Sequence, residues 1–362
     1  MCRILKVYIL MIFILLLSGC VELQSVNIEE PDDEDIITRT DESTETEKDK
    51  ITLSLGHVLA EDDITHESTV LLAELANEYS DGELEINIYP NSQLGGEREL
   101  VEGVGMDAVD IGLVANAAVT NFVPSLVYWD FPYLIEDIEH MKNVENSDAM
   151  NHLNSELRNN GYINLALQHG GFRQISNSVR PLEEVEDFHG INIRLLESRI
   201  MIDTFETLEG TRTSNMSFSE LYSGLQQGVV DGQDNPVNLI YNMRFYEVQD
   251  YLSITDHFFT TRYYLMNEDR FNQLSGKQQD ALIRASEEAM EYLKEELYDN
   301  QEEILQDLEE EGMEINTVSK EFKNEFRSIA EKEVYPKYYS QIGNGDELDG
   351  KKIVKEIIDL RD

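Results

Sequence analysis

Two arginines carry the clearest chemistry in this sequence. Arg173 in "GGFRQISNS" and Arg194 in "GINIRLLES" each lie at the end of an apolar or alternating stretch of the kind that forms a strand, where a sheet presents side chains to a ligand. A guanidinium is a planar fork of donors that pairs bidentately with a carboxylate. In a chain with 73 acidic residues, each could also pair with a carboxylate of the protein itself. A second polar concentration closes "FSELYSGLQQGVVDGQDNP" (218–236). Its first half reads as an amphipathic helix, with Ser217 capping against Glu220 and with Leu221, Leu225 and Val229 on one stripe. Its second half, Asp231 to Pro236, is rich in turn formers and predicts a connection from helix to strand.

Patterns for catalysis do not emerge. "GVGMDA" (103–108) matches a dinucleotide loop as a string, but it follows a helical stretch and opens no helix. The seven histidines show no metal-ligand spacing, and "HESTV" lacks the second histidine of a zinc protease motif. A GxSxG nucleophile elbow is absent. The expectation is therefore a binding protein without a cofactor rather than an enzyme.

The elements that must position the arginines alternate. "ITLSLGHV" (51–58) reads as a strand, "HESTVLLAELANEYSDG" (66–82) as a helix closed by Gly82, and "ELEINIYPNSQLGG" (83–96) as a strand again. A helix from Glu97 to Gly103 and an apolar strand in "AVDIGLVA" (108–115) follow. Such alternation predicts an α/β lobe with a largely parallel sheet, with ligands beyond its strand ends near His57 and Ala115-Asn116. A second alternation runs through 162–178, 187–198 and 218–236. "YYLMN" (263–267) reads as a strand returning to a sheet, and Ser275 with Gln278 boxes the start of a long helix reaching Gly312.

The N-terminus has Arg3 and Lys6, an apolar run from Val7 to Leu17, and then "LSGC" ending at Cys20. That is the layout of a secretory signal, and the small residues before Cys20 resemble a lipobox, which implies cleavage before that cysteine and its lipidation. No cysteine follows Cys20, so the mature chain forms no internal disulfide and has no catalytic thiolate. Residues 21–50 hold 12 acids and 3 bases with few large apolar residues, and read as a solvated tether. Removing Arg3 and Lys6 with the signal leaves 73 acids against 26 bases, a net charge of −47. Such a charge repels phosphates and argues against nucleic-acid binding, and it suits an acidic surface in high external salt.

Four stretches together carry a family likeness: "EINIYPNSQLGGEREL", "GFRQISNSVRPLEEVEDFHGINIR", "FSELYSGLQQGVVDGQDNP" and "FYEVQDYLSITDH". From about 51 to 340 the chain resembles the solute-binding proteins of tripartite ATP-independent periplasmic (TRAP) transporters, DctP type. The resemblance implies an α/β, two-lobed, periplasmic-binding-protein-like fold of type II-like architecture, with a long helix spanning both lobes. Lobe I would take 51–170 and 261–300, lobe II 171–260 and 301–345, and a C-terminal tail 346–362. The implied function is capture of an organic acid anion, a C4-dicarboxylate or a sugar acid such as a uronate, in a cleft between the lobes. The acid would pass to a sodium-driven TRAP permease, from a receptor anchored outside the cytoplasm. Arg194 matches the family's selectivity arginine in "GxxxR", Arg173 its second arginine in "GxR", and Asn235 its asparagine before proline, while Phe218 would pack on the ligand. His57 and Asn116 would shape the other half of the pocket. Members that bind sialic acid have a glutamate where this chain has Ala115, which argues against that ligand. Two other classes would use the same arginines: an extracellular lyase on uronic acids, which also needs a base near the α-proton, and the ligand-binding subunit of a sensor.

Overall fold

The computed structural model describes residues 50–361. The signal peptide expected over 1–20, with Cys20, lies outside them, as does the tether expected over 21–50 except for Lys50.

Strands form where apolar and β-branched residues alternate or run together: β1 (Ile51–Gly56), β2 (Leu84–Tyr89), β3 (Ile111–Ala115), β4 (Tyr162–Asn177), β5 (Asn192–Leu195), β6 (Arg212–Asn215), β7 (Gly232–Pro236), β8 (Tyr251–Asn267) and β9 (Glu314–Thr317). They join in one sheet of order β2-β1-β3-β8-β4-β7-β5-β6, with β9 on β8. The pairs β1–β2, β1–β3, β5–β6, β5–β7 and β8–β9 are parallel. The centre differs from the largely parallel sheet expected, because β8 is antiparallel to β3 and to β4, and β4 is antiparallel to β7. Two long strands of opposite direction, of 16 and 17 residues, therefore form the centre of the sheet, and the shorter strands flank them. Their ladder is irregular between Asn164 and Leu167, His169 and Gly171, and Arg173 and Ile175. Gly171 sits at φ 86°, a conformation that favours glycine, and lies opposite Thr260.

The helix Gly276–Asp299 starts on the expected box, with Ser275 and Gln278 satisfying each other's backbone amides. It buries Leu282, Ala285 and Ala289 against β1, β3 and the helix Ile64–Tyr79. Past Asn300 a second segment, Gln301–Glu310, buries Leu308 in a separate cluster with Leu221, Ile240 and Phe245. The long helix thus reaches both halves of the sheet, interrupted at one residue.

Three local readings change. Ser217 makes no backbone cap, and its hydroxyl donates instead to Glu220 Oε2 at 2.7 Å. The helix it precedes ends at Gln226, so Val229 falls beyond it and is exposed. The segment read as a C-terminal tail contains a helix, Glu347–Ile358, whose Val354 and Ile357 are buried in the cluster that also holds Trp129, Tyr335 and Leu153.

Candidate functional site

Asp231 to Pro236 carries a strand rather than a turn. Gly232 to Pro236 form β7, inserted between β4 and β5, with all five residues buried. These residue types are poor strand formers, and tertiary contacts override that preference. Gly232 is needed because a Cβ there would stand 2.6 Å from the Ser176 carbonyl oxygen on the neighbouring strand. Pro236 ends the ladder and precedes the helix Val237–Asn242.

Asp234, the centre of β7, explains Arg173. The Arg173 guanidinium, 1 % exposed, donates from Nε to Asp234 Oδ2 at 2.6 Å and from Nη2 to Oδ1 at 3.0 Å. Nη2 also reaches the Asp234 carbonyl and Asn235 Oδ1, and Nη1 reaches Thr260 Oγ1. Burial alone would raise the Asp234 carboxyl, but Arg173 and the nearby His257 outweigh it and hold the pKa well below the usual carboxylate range. The alternative of an internal ion pair is thus what Arg173 makes, and that pair fixes the face on which Asn235 stands.

Arg194 differs. Alternation along β5 sends Ile193 and Leu195 into the core and Arg194 to the other face. Its Nε and Nη2 both donate to the Met216 carbonyl, at 2.9 and 2.6 Å. Its Nη1 is buried with no hydrogen-bond partner, and among the described residues it makes no ion pair. Burial lowers its pKa to about 10, so it keeps its charge at neutral pH.

Arg194 lines a compartment with Glu97, Leu196, Met216 and Phe218. An adjoining compartment contains Arg173, Asn235, Leu239 and Arg262, and shares Glu97, Leu196 and Phe218 with the first. Phe218, at the start of its helix, is a wall of both and packs edge-on against Phe245. Four of the expected residues, Arg194, Arg173, Asn235 and Phe218, therefore converge on one cleft.

His57 and Asn116 are not among the residues lining either compartment; they stand behind the walls. The Leu59 amide donates to His57 Nδ1, which puts the ring proton on Nε2, facing His66 Nδ1 at 3.0 Å. This fixes the loop that supplies Val58 and Leu59 to the cleft. Burial, with His66 and Arg262 adding to it, pushes the His57 pKa down to about 3. Asn116 donates to the Leu126 carbonyl and accepts from the Tyr263 hydroxyl, so its amide braces the fold.

Two cleft residues escape the sequence reading. Glu97 opens the helix Glu97–Gly105, and its Oε1 accepts from the Ala115 amide at 3.2 Å. Arg262 lies in the middle of β8, paired to β3 and β4 on either side. Its signal was available: an arginine inside "FFTTRYYLM" is a charge within a central strand, where burial is costly.

Comparison with known proteins finds a matching family and similar solved structures. The family of bacterial extracellular solute-binding proteins, family 7 (DctP), matches residues 55–341. The 2,3-diketo-L-gulonate-binding periplasmic protein YiaO of Escherichia coli is 28% identical over 265 residues, 73% of this chain and 80% of its own. A TRAP periplasmic solute-binding protein from Sulfurospirillum deleyianum with bound succinate superposes with a TM-score of 0.79 at 26% identity, covering 86% of this chain and 99% of its own. The sugar acid binding protein of Advenella mimigardefordensis in complex with galactonate gives 0.79 at 25% identity, over 85% and 99%.

Proposed function

The chain belongs to the bacterial extracellular solute-binding proteins of family 7, the DctP family, and from that premise we propose that its cleft captures an organic acid anion for delivery to a TRAP permease. What supports this reading most is Arg194, a buried guanidinium with an unpartnered Nη1 and, among the described residues, no carboxylate in direct contact, Asp234, Glu97 and Glu197 acting on it only through space. A charge left so costs several kcal/mol, and a ligand carboxylate within hydrogen-bond reach would offset that cost. Phe218 and Leu196 supply the apolar walls that exclude water, and Asn235, whose Oδ1 accepts from Arg173 and whose Nδ2 donates to Gln233, keeps one amide hydrogen for a ligand oxygen. The ligand class is a dicarboxylate or sugar acid, since relatives carry these names and ligands. Arg173, already held by Asp234, adds field and position and is the weaker contact.

Lipidation at Cys20 would hold this receptor at the outer face of the cell membrane. Changing Cys20→Ser should then release the protein or leave the precursor uncleaved, and a variant still processed and membrane-bound would count against the anchor. For the binding function, a thermal-shift screen with succinate, galactonate and galacturonate is the test. A ligand at 100 times its dissociation constant stabilises by about 2.7 kcal/mol. A folded protein that no acid in such a panel stabilises would overturn the reading, and turnover of a uronate would replace it with the lyase.

A further inference from the structure

Arg262 has no function in the fold that its surroundings explain. It is 5 % exposed, in the centre of the sheet, with Ala115 opposite on β3 and Gln168 opposite on β4. Among the described residues it makes no ion pair, and its buried Nε has no hydrogen-bond partner. Arg173, one strand away, has a dedicated aspartate. The chain accommodates the Arg262 side chain specifically: a Cβ on Gly170 would stand 2.5 Å from its Nη1, so the glycine leaves the room that the guanidinium occupies. Its aliphatic neighbours in the cleft, Val58, Leu59 and Leu239, offer no acceptor.

We propose that Arg262 is a second anion-binding residue of the cleft, and that the ligand of this chain is a dianion whose two carboxylates are held by Arg194 and Arg262. The inference rests on the organic-acid reading above and narrows it. The two unpaired guanidiniums lie in adjoining compartments that share Glu97, Leu196 and Phe218, so one short ligand lying along that common wall meets both. No carboxylate pairs with Arg262 directly: Glu97 and Asp63 act on it only through space, and Asp63 accepts from the Thr65 amide and from Asn242. His57 beside Arg262 is neutral, Asp234 is committed to Arg173, and the Glu97 carboxylate, in no ion pair among the described residues, accepts from the Ala115 amide. Glu97, on the shared wall, opposes a dianion through its own charge. Direct pairing at hydrogen-bond distance in a closed cleft outweighs that, since both carboxylates gain charge-assisted bonds that the acid with a single anionic end can make only once.

The test is calorimetry at pH 7.5 with matched pairs differing in one charged end: galactarate against galactonate, and succinate against its monoamide. Wild type, Arg262→Gln and Arg262→Lys are compared. In at least one pair the wild type should bind the dianion at least tenfold more tightly. Arg262→Gln should weaken that dianion by about thirty-fold or more while changing its monoanion less than about threefold. Arg262→Lys should fall between, because it keeps the charge without the fork. The melting temperature of unliganded Arg262→Gln should match or exceed that of wild type, since the change removes an unpaired buried charge; a structural arginine would lower it. Equal binding of both members of each pair, or equal weakening of both by Arg262→Gln, overturns the assignment and leaves the organic-acid function standing. No heat from any of the four acids with folded protein overturns both.

Discussion

Each charged side chain under the cleft has its state set by what it touches. Asp234 and Arg173 are a buried, bidentate pair, so removing one partner leaves the other charged without compensation. Asp234→Asn should destabilise the protein by about 3–5 kcal/mol in chemical denaturation, and a loss under about 1 kcal/mol would mean the pair is solvated. Histidines respond to pH in the same way. His57, His140, His152, His169 and His257 all have lowered pKa values, burial being the main cause for each. A group whose folded pKa is depressed gives stability that is fully present above its unfolded value and is lost as pH falls. For His57 the window runs from about 6.5 down to about 3. The unfolding free energy should therefore decline steadily from pH 6.5 to 4, and His57→Gln should flatten part of that decline. A His57→Gln curve parallel to wild type would show that His57 is protonated at no cost.

At the scale of elements, β7 is the critical insertion, because it sets the register of Asp234 and Asn235 between two strands. Gly232→Ala would push a methyl against the Ser176 carbonyl, which is backbone and cannot swing away. We expect a loss of about 1–3 kcal/mol by thermal or urea denaturation together with weaker ligand binding, and an unchanged stability would mean that β7 shifts freely. This strand also shows where the sequence stops being legible. β1, β2, β3 and the box at Ser275 follow from local alternation and capping, which a linear reading captures. β7 has the composition of a turn and becomes a strand only because β4 and β5 bracket it and Arg173 needs a counterion. Arg194 was legible because its strand is short and it stands one residue from the end, whereas Arg262 is concealed in a strand of seventeen residues whose flanking aromatics suggest only core. His57 and Asn116 were rightly placed near strand ends, but which way a side chain faces there depends on partners such as His66 and Tyr263 that lie far along the chain or on another element.

The whole molecule carries a formal net charge of −45, so an organic anion is repelled at a distance and must be captured by local, desolvated pairing. β4 and β8 run through both lobes with an irregular ladder at Gly171 and Thr260, and a bend there would move the lobes as bodies. Hydrogen bonds between the first and second halves of the sheet hold the present arrangement: Asn242 donates to Asp63 Oδ2 at 2.9 Å, and Asn121 donates to the Glu197 carbonyl at 3.1 Å. Ligand contact with both lobes should favour a closed form, so small-angle scattering should give a smaller radius of gyration at saturating ligand. An unchanged radius with binding confirmed would remove hinge closure from the mechanism. The central claim is that an unpaired, buried Arg194 exists to bind a carboxylate, and calorimetry on Arg194→Ala and Arg194→Lys with whichever of succinate, galactonate or galacturonate binds wild type tests it most directly. The account predicts a loss of about 2–5 kcal/mol for alanine, with partial recovery for lysine, because the ligand charge would otherwise be buried without a partner. Binding by Arg194→Ala within about threefold of wild type, under about 1 kcal/mol, would contradict it.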